Sequence, residues 1–167
     1  MKKLSWDDIE KITDELASKI KASGFVPDYI IGITTGGLIP LYFLAKRLDC
    51  LNMLTISVNS YVKDKKGDLK ILYLPEIDLS NKNILLVDEI AGTGGTLKEI
   101  SNILIDKYKV GELKTITLVV LKDSQFYPDF YVLEEGSGWV VFPWDKHEFP
   151  EYFTKDNPNR DGSKVNQ

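Results

Sequence analysis

Asn83–Thr96 reads NILLVDEIAGTGGT. Four apolar residues, Ile84 to Val87, run unbroken into two acids, Asp88 and Glu89. A loop rich in glycine and threonine, Ala91 to Thr96, comes next. Leu97, Ile100, Ile103 and Leu104 then recur at the three- and four-residue spacing of a helix. A short continuous apolar run bounded by turn residues suits a strand buried on both faces, as in a parallel sheet. The stretch reads as strand, loop, helix. Its acids stand at the carboxyl end of the strand, where open α/β sheets bind ligands.

The loop narrows the ligand. Gly92, Gly94 and Gly95 let the backbone turn its N–H groups inward, and Thr93 and Thr96 add two hydroxyls. The helix that follows presents its positive end. Together these make a nest for one phosphate. The two acids cannot favour that phosphate, so they serve another part of the ligand: sugar hydroxyls or a bound Mg²⁺. A ribose 5-phosphate meets both demands. A Walker A loop is excluded because Gly95, not Lys, precedes Thr96. A dinucleotide fingerprint is excluded because Leu97 stands where its third glycine belongs. A glycine-rich turn without a ligand is the plain alternative, but a turn has no need of two acids at a strand end.

Val87–Thr96, VDEIAGTGGT, resembles the phosphoribosyl-pyrophosphate signature of the type I phosphoribosyltransferases. That signature is an apolar strand, two acids, two apolar or small residues, then an acid followed by Thr-Gly-Gly-Thr. The resemblance extends over about residues 4 to 147.

The composition agrees with one globular domain. The chain has 167 residues, 43% hydrophobic and 28% charged, with net charge −4 and one cysteine, Cys50. The negative balance argues against a nucleic-acid or anionic-membrane partner, either of which calls for a basic face. A single cysteine excludes an internal disulfide and suits a reducing cytosol; Cys50 reads as a small buried hydrophobe. The amino end opens on an amphipathic helix, with no signal peptide or long apolar span. A single domain is expected over residues 1–150, and a polar, loosely attached tail over 151–167. The one histidine, His147, makes neither a metal cluster nor a Ser/His/Asp set.

Ser5 and Asp8 are spaced as an N-cap and its capping-box partner. Ile9, Ile12, Leu16 and Ile20 form one apolar stripe, and Gly24 ends the helix. Trp6 reads as a packing residue. Tyr29–Ile33 is a strand that ends in Thr34-Thr35-Gly36-Gly37, with Pro40 in the first turn of the next helix. This second strand–Gly-Gly–helix unit resembles the family's pyrophosphate loop, in which Thr35, Gly36 and Gly37 would bring backbone N–H groups to phosphate oxygens. Met53–Val58 and Lys70–Leu74 read as strands around the charged tip NSYVKDKKGD. By resemblance that tip is the family's mobile hood, with Ser60 and Tyr61 as its dipeptide; its own sequence favours a solvated surface hairpin.

Thr115–Leu121 is another buried strand, with Lys122 at its end, and Phe130–Leu133 is a further short one. A lysine placed like Lys122 donates to the 6-oxo group in purine-specific members; otherwise it is a solvated charge. Trp139-Val140-Val141-Phe142-Pro143-Trp144-Asp145 resembles the base-binding end of xanthine–guanine phosphoribosyltransferases. The resemblance makes Trp139 the residue stacked on the purine and Val140 the one offering backbone groups to its edge. Asp145 belongs to the same base-binding set. The alternative for Trp139 is an aromatic edge strand filling a core.

The resemblance implies an α/β fold with a mostly parallel five-stranded sheet flanked by helices, and a homo-oligomer of two or four chains. The implied reaction moves ribose 5-phosphate from phosphoribosyl pyrophosphate to guanine, xanthine or hypoxanthine. Asp88 and Glu89 would hold the ribose hydroxyls, Ala91 to Thr96 the 5-phosphate, and Mg²⁺ the pyrophosphate, with Asp88, Glu89 or Asp145 as its protein ligands. Three positions depart from the pattern. Gly92 replaces the acid that commonly handles the proton at purine N7, Thr35 replaces a cation, and Glu89 replaces the commoner Asp. Two other readings stay open: a non-catalytic regulator that binds phosphoribosyl pyrophosphate or a nucleotide, and a different α/β transferase or nucleotide binder with a chance match.

Overall fold

The computed structural model describes residues 1–59, 69–136 and 138–153. In chain order the elements are β1 (Lys2–Lys3), α1 (Trp6–Ser23), β2 (Tyr29–Thr34), α2 (Leu38–Arg47), β3 (Met53–Asn59), β4 (Lys70–Tyr73) and β5 (Ile84–Ala91). There follow α3 (Gly95–Asp106), β6 (Leu113–Leu121), β7 (Leu133–Glu135), β8 (Val140–Val141) and two 3₁₀ turns, Pro143–His147 and Pro150–Phe153.

Local sequence explains where the first helix starts and stops. The Ser5 hydroxyl accepts the Asp8 N–H at 3.2 Å, and Asp8 Oδ2 accepts the Ser5 N–H at 2.8 Å. This reciprocal pair satisfies two donors that a helix start otherwise leaves open. Gly24 closes the helix at φ 78°, a conformation that costs glycine little. The stripe read from the sequence, Ile9, Ile12, Leu16 and Ile20, is buried.

The main sheet runs β4-β3-β2-β5-β6-β7, parallel except for β4. It has six strands where the sequence suggested five. The strand at Lys70 does not stand above the sheet; it joins as an antiparallel edge, pairing Tyr73 with Ser57 across a register shift. A hairpin edge can add on this way because its backbone groups need partners. The strand expected at Phe130–Leu133 begins later: Phe130 makes only an isolated bridge to Ile116, and the continuous pairing is Leu133–Glu135 with Val119–Leu121. Val140–Val141 lies outside this sheet and pairs in parallel with Lys2–Lys3.

Alternate residues of β5 face opposite layers. Leu85 and Val87 pack with the stripe of α1 and with Leu41 and Leu44 of α2. Ile84 and Leu86 pack with Leu97, Ile100 and Leu104 of α3. Both faces of the strand are covered, which is why its sequence is apolar without alternation. From β2 the chain passes outward to β3, and from β5 it passes the opposite way to β6. The order therefore reverses between β2 and β5, and at such a point the loops after two adjacent parallel strands splay apart and leave a crevice.

Candidate active site

Strand β5 extends further than the sequence suggested. Its ladder with β6 continues through Ala91–Val120, so Asp88 and Glu89 lie within the strand's last half. Ala91 is the strand's final, buried residue and not the start of the loop. Asp88 Oδ1 accepts the Glu89 N–H at 3.0 Å. Burial, with the Glu89 carboxylate close by, pushes the Asp88 carboxyl well above the usual carboxylate range.

Gly92, Thr93 and Gly94 form the turn, and α3 starts at Gly95. Gly94 adopts φ 77°, the left-handed conformation that the turn into the helix requires. The Thr93 hydroxyl accepts the Gly95 N–H at 3.3 Å, so the loop is already folded inward. Around it lies a crevice of about 270 Å³, lined by Asp88, the run from Ile90 through Thr96, and Leu97. This places all six predicted phosphate-loop residues, Ala91 to Thr96, on one concavity.

The loop after β2 lies alongside. Its Thr34–Thr35 peptide is cis. Gly37 donates its N–H to Ile33 O at 2.8 Å, and Leu38 donates to Thr35 O at 3.1 Å. A β-carbon at Gly37 would stand 2.6 Å from both Ile33 O and Val87 O. Gly37 is therefore a close-packing glycine between β2 and β5, and its N–H is spent inside the protein. The sequence reading set Gly37 at an anion together with Thr35 and Gly36. Thr35 and Gly36 line a second crevice of about 370 Å³, with Asp88, Glu89, Thr96, Asn59 and Glu148. Asp88 and Thr96 belong to both crevices.

A family model, "Phosphoribosyl transferase domain", matches residues 5–148. The chain belongs to the phosphoribosyltransferases. It is 30% identical over 144 residues to a xanthine-guanine phosphoribosyltransferase of Desulfotalea psychrophila, covering 85% of this chain and 84% of that one. It resembles a crystal structure of a purine phosphoribosyltransferase from Pyrococcus horikoshii with a TM-score of 0.75 and 32% identity, covering 85% of this chain and 92% of the other. A hypothetical protein from Neisseria gonorrhoeae with bound ppGpp matches with a TM-score of 0.75 and 25% identity, over 91% of this chain and 94% of that one.

The phosphoribosyltransferase's remaining predicted residues gather at the β6–β7–β8 margin. Lys122 is exposed just past β6 and donates its backbone N–H to Glu135 O at 2.8 Å. The Glu135 side chain pairs with Lys2 Nζ at 2.8 Å, and the Lys2 N–H donates to Trp139 O at 2.9 Å. Lys122 and Trp139 are thus linked through Glu135 and Lys2, and neither lines the two crevices. Trp139 is 56% exposed and meets Phe149 edge-on at 5.3 Å. The ladder to β1 uses Trp139 O and Val141 O. The N–H and C=O of Val140 therefore point to the other side of the strand.

Asp145 does a local job: its Oδ2 accepts the Phe142 N–H at 2.8 Å and caps the 3₁₀ turn. Burial pushes its carboxyl up, the Phe142 N–H pulls it down, and nearby Glu148 and Glu89 add to the rise. Trp144 is held between Phe142, stacked at 4.9 Å, and Trp6 at 5.9 Å. The Trp6 reading as a packing residue holds. Glu148 was not singled out from the sequence, yet it lines the larger crevice. Nothing local marks it, because a 3₁₀ turn remote in sequence brings it there. Ser60 and Tyr61 lie outside the described residues, as do residues 154–167 of the expected tail.

The larger crevice carries three carboxylates, Asp88, Glu89 and Glu148, and no Lys or Arg among its lining residues. Among the described residues no group of three or more His, Cys, Asp or Glu is arranged to hold a metal ion. The chain thus offers acids that suit a divalent cation but not a complete cage. That fits a Mg²⁺ whose other ligands are water and substrate oxygens. No helix of the described residues is long and apolar enough to cross a membrane.

Proposed function

We propose that this phosphoribosyltransferase moves the 5-phosphoribosyl group of phosphoribosyl pyrophosphate onto a 6-oxopurine, releasing pyrophosphate and a nucleoside monophosphate. One observation carries the reading. Two glycine loops stand side by side after adjacent parallel strands, with the Asp88–Glu89 pair between them. One loop suits the 5-phosphate, the other the pyrophosphate, and the acids lie where the sugar joining them would be.

In this reading Gly92 to Thr96 hold the 5-phosphate through backbone N–H groups, two hydroxyls and the start of α3. Asp88 and Glu89 accept the ribose hydroxyls, and their negative charge favours the positive charge that develops at the anomeric carbon as the C–O bond to pyrophosphate breaks. The binding energy of the remote phosphate serves to orient that carbon toward the attacking base. Mg²⁺, held by Asp88, Glu89 or Asp145 with substrate oxygens, would neutralise the leaving pyrophosphate. Trp139 stacks on the base and Lys122 donates to its 6-oxo group. The purine names of the relatives support this choice of base. So does the ppGpp in the neighbouring structure, since it is a guanine nucleotide.

The test is product formation. Protein, Mg²⁺ and phosphoribosyl pyrophosphate are mixed with guanine, xanthine, hypoxanthine, adenine and orotate. The reading expects a monophosphate from at least one of the first three and none from orotate. Turnover of orotate alone, or of no base, overturns it.

A further inference from the structure

We propose that Ser124 is a positioning residue for the 5-phosphate cradle, acting through a clamp that the β6–β7 connection closes under the Gly92–Gly95 turn. The inference rests on the function proposed above and assigns a role to residues outside both crevices.

The turn has little of its own to hold its shape. Its internal bond, Thr93 Oγ1 to the Gly95 N–H, is long at 3.3 Å. Support comes from below. The Gln125 N–H donates to Thr93 O at 3.1 Å and fixes that carbonyl. Gly94 lies flush against the same segment: a β-carbon there would stand 2.5 Å from Phe126 O and 2.8 Å from Ser124 Oγ. Ser124 organises this surface. It is 8% exposed, its N–H donates to Leu121 O at 2.9 Å, and its hydroxyl donates to Phe126 O at 2.9 Å. Those two bonds fold residues 121–126 into the turn that presents the Gln125 N–H and the Phe126 carbonyl to the cradle.

Geometry makes this more than a packing contact. A phosphate nest works only if its N–H groups already converge, because reorienting them on binding costs affinity. The clamp also begins at Lys122, the residue expected at the base, and ends on Thr93, a residue expected at the phosphate. Only Asp123 and Ser124 separate Lys122 from Gln125. The segment thus runs between the two expected sites, but its hydrogen bonds support the Thr93 end.

Removing the Ser124 hydroxyl leaves the Phe126 carbonyl without this donor and loosens the segment. Loss of one such hydrogen bond typically costs about five- to tenfold in an equilibrium. The experiment titrates wild type and Ser124→Ala calorimetrically with two probes, ribose 5-phosphate and guanosine. The expected result is a five- to tenfold weaker ribose 5-phosphate affinity in the variant, with guanosine changed less than twofold. Equal weakening of both probes, or of neither, overturns the inference, because a general structural loss would not single out the phosphate. If wild type binds ribose 5-phosphate but not guanosine, the purine reading fails while the cradle test still decides. If wild type binds no ribose 5-phosphate, both fall.

Hydrogen exchange on the wild-type protein tests the clamp without a variant. Peptides covering residues 123–127 should gain protection when ribose 5-phosphate binds, although none of these residues lines the phosphate crevice. Unchanged exchange there, with protection at residues 92–96, overturns the inference.

Discussion

The Glu89 carboxylate lies against the α-carbon of Gly36, in the space that a side chain there would fill. The carboxylate belongs to the acid pair of β5 and the glycine to the loop after β2, and both line the larger crevice. The two halves of the crevice thus meet at this one contact.

Glycine is needed at Gly36 for function and at Gly37 for stability. An alanine at 36 displaces only the end of a flexible Glu89 side chain. Gly36→Ala should fold with stability within about 1 kcal/mol of wild type yet bind phosphoribosyl pyrophosphate about tenfold more weakly, a change of roughly 1.4 kcal/mol. An alanine at 37 meets the backbone of Ile33 and Val87, which cannot yield. Gly37→Ala should lose about 1–3 kcal/mol, as overpacking does, and melt several degrees lower. Thermal melts and calorimetric titration of both variants check the contrast; matching behaviour of the two would refute it.

Gly92 has room for the acid that the family commonly carries. A β-carbon there meets nothing within 4 Å, and its φ is not in the left-handed region. Gly92→Asp should therefore fold normally. If the lack of a general base limits turnover, kcat on guanine, xanthine or hypoxanthine should rise, by up to about 10²–10⁴-fold. Steady-state assays decide it; no gain means another group already handles the proton.

How much of this was legible in the sequence depends on distance along the chain. The α1 caps, the buried strand at Ile84 and the phosphate turn are local, so adjacent residue types announced them. The strand at Lys70 was legible but its place as the sixth strand of the sheet was not, because Lys70–Tyr73 is short and largely exposed and its pattern does not say which strand it pairs with. β1 and β8 have two residues each, too few for any period to show. Glu148, the Glu89–Gly36 contact and the Ser124 clamp are products of tertiary folding and leave no local mark. The close packing of Gly37 was not legible, because a glycine needed for packing looks, in sequence, like one needed for a ligand.

Asp88 should destabilise the ligand-free protein at neutral pH. Its carboxyl is pushed up by burial and by Glu89, so the folded chain holds a proton where the unfolded chain has released it. The contribution of Asp88 to stability is then greatest below the unfolded carboxylate range, about pH 4, and falls as pH rises from there through the higher folded value. Asp88→Asn cannot ionise and escapes this fall. It should melt above wild type at pH 7, with the gap closing toward pH 4, while binding phosphoribosyl pyrophosphate about tenfold more weakly, roughly 1.4 kcal/mol. Melting curves across pH with parallel titrations test this; a variant that melts lower at pH 7 contradicts the burial argument.

Trp139 is half-exposed, so its truncation should cost little folding stability beyond the edge contact with Phe149, about 0.5–1.5 kcal/mol. Stacking on a base is worth roughly 1–3 kcal/mol. Trp139→Ala should raise KM for the purine about 5- to 150-fold and leave KM for phosphoribosyl pyrophosphate within about twofold. An unchanged purine KM would remove Trp139 from the base site.

The first strand of the fold, Lys2–Lys3, has its partner in Val140–Val141, far along the chain. During synthesis on a ribosome, the amino-terminal end must wait unpaired until nearly the whole chain has emerged. A nascent chain halted before β8 would carry α1 and the phosphate turn but no closed margin for the base. A segment fused ahead of Met1 would emerge beside Gly138 and Trp139 and crowd that margin.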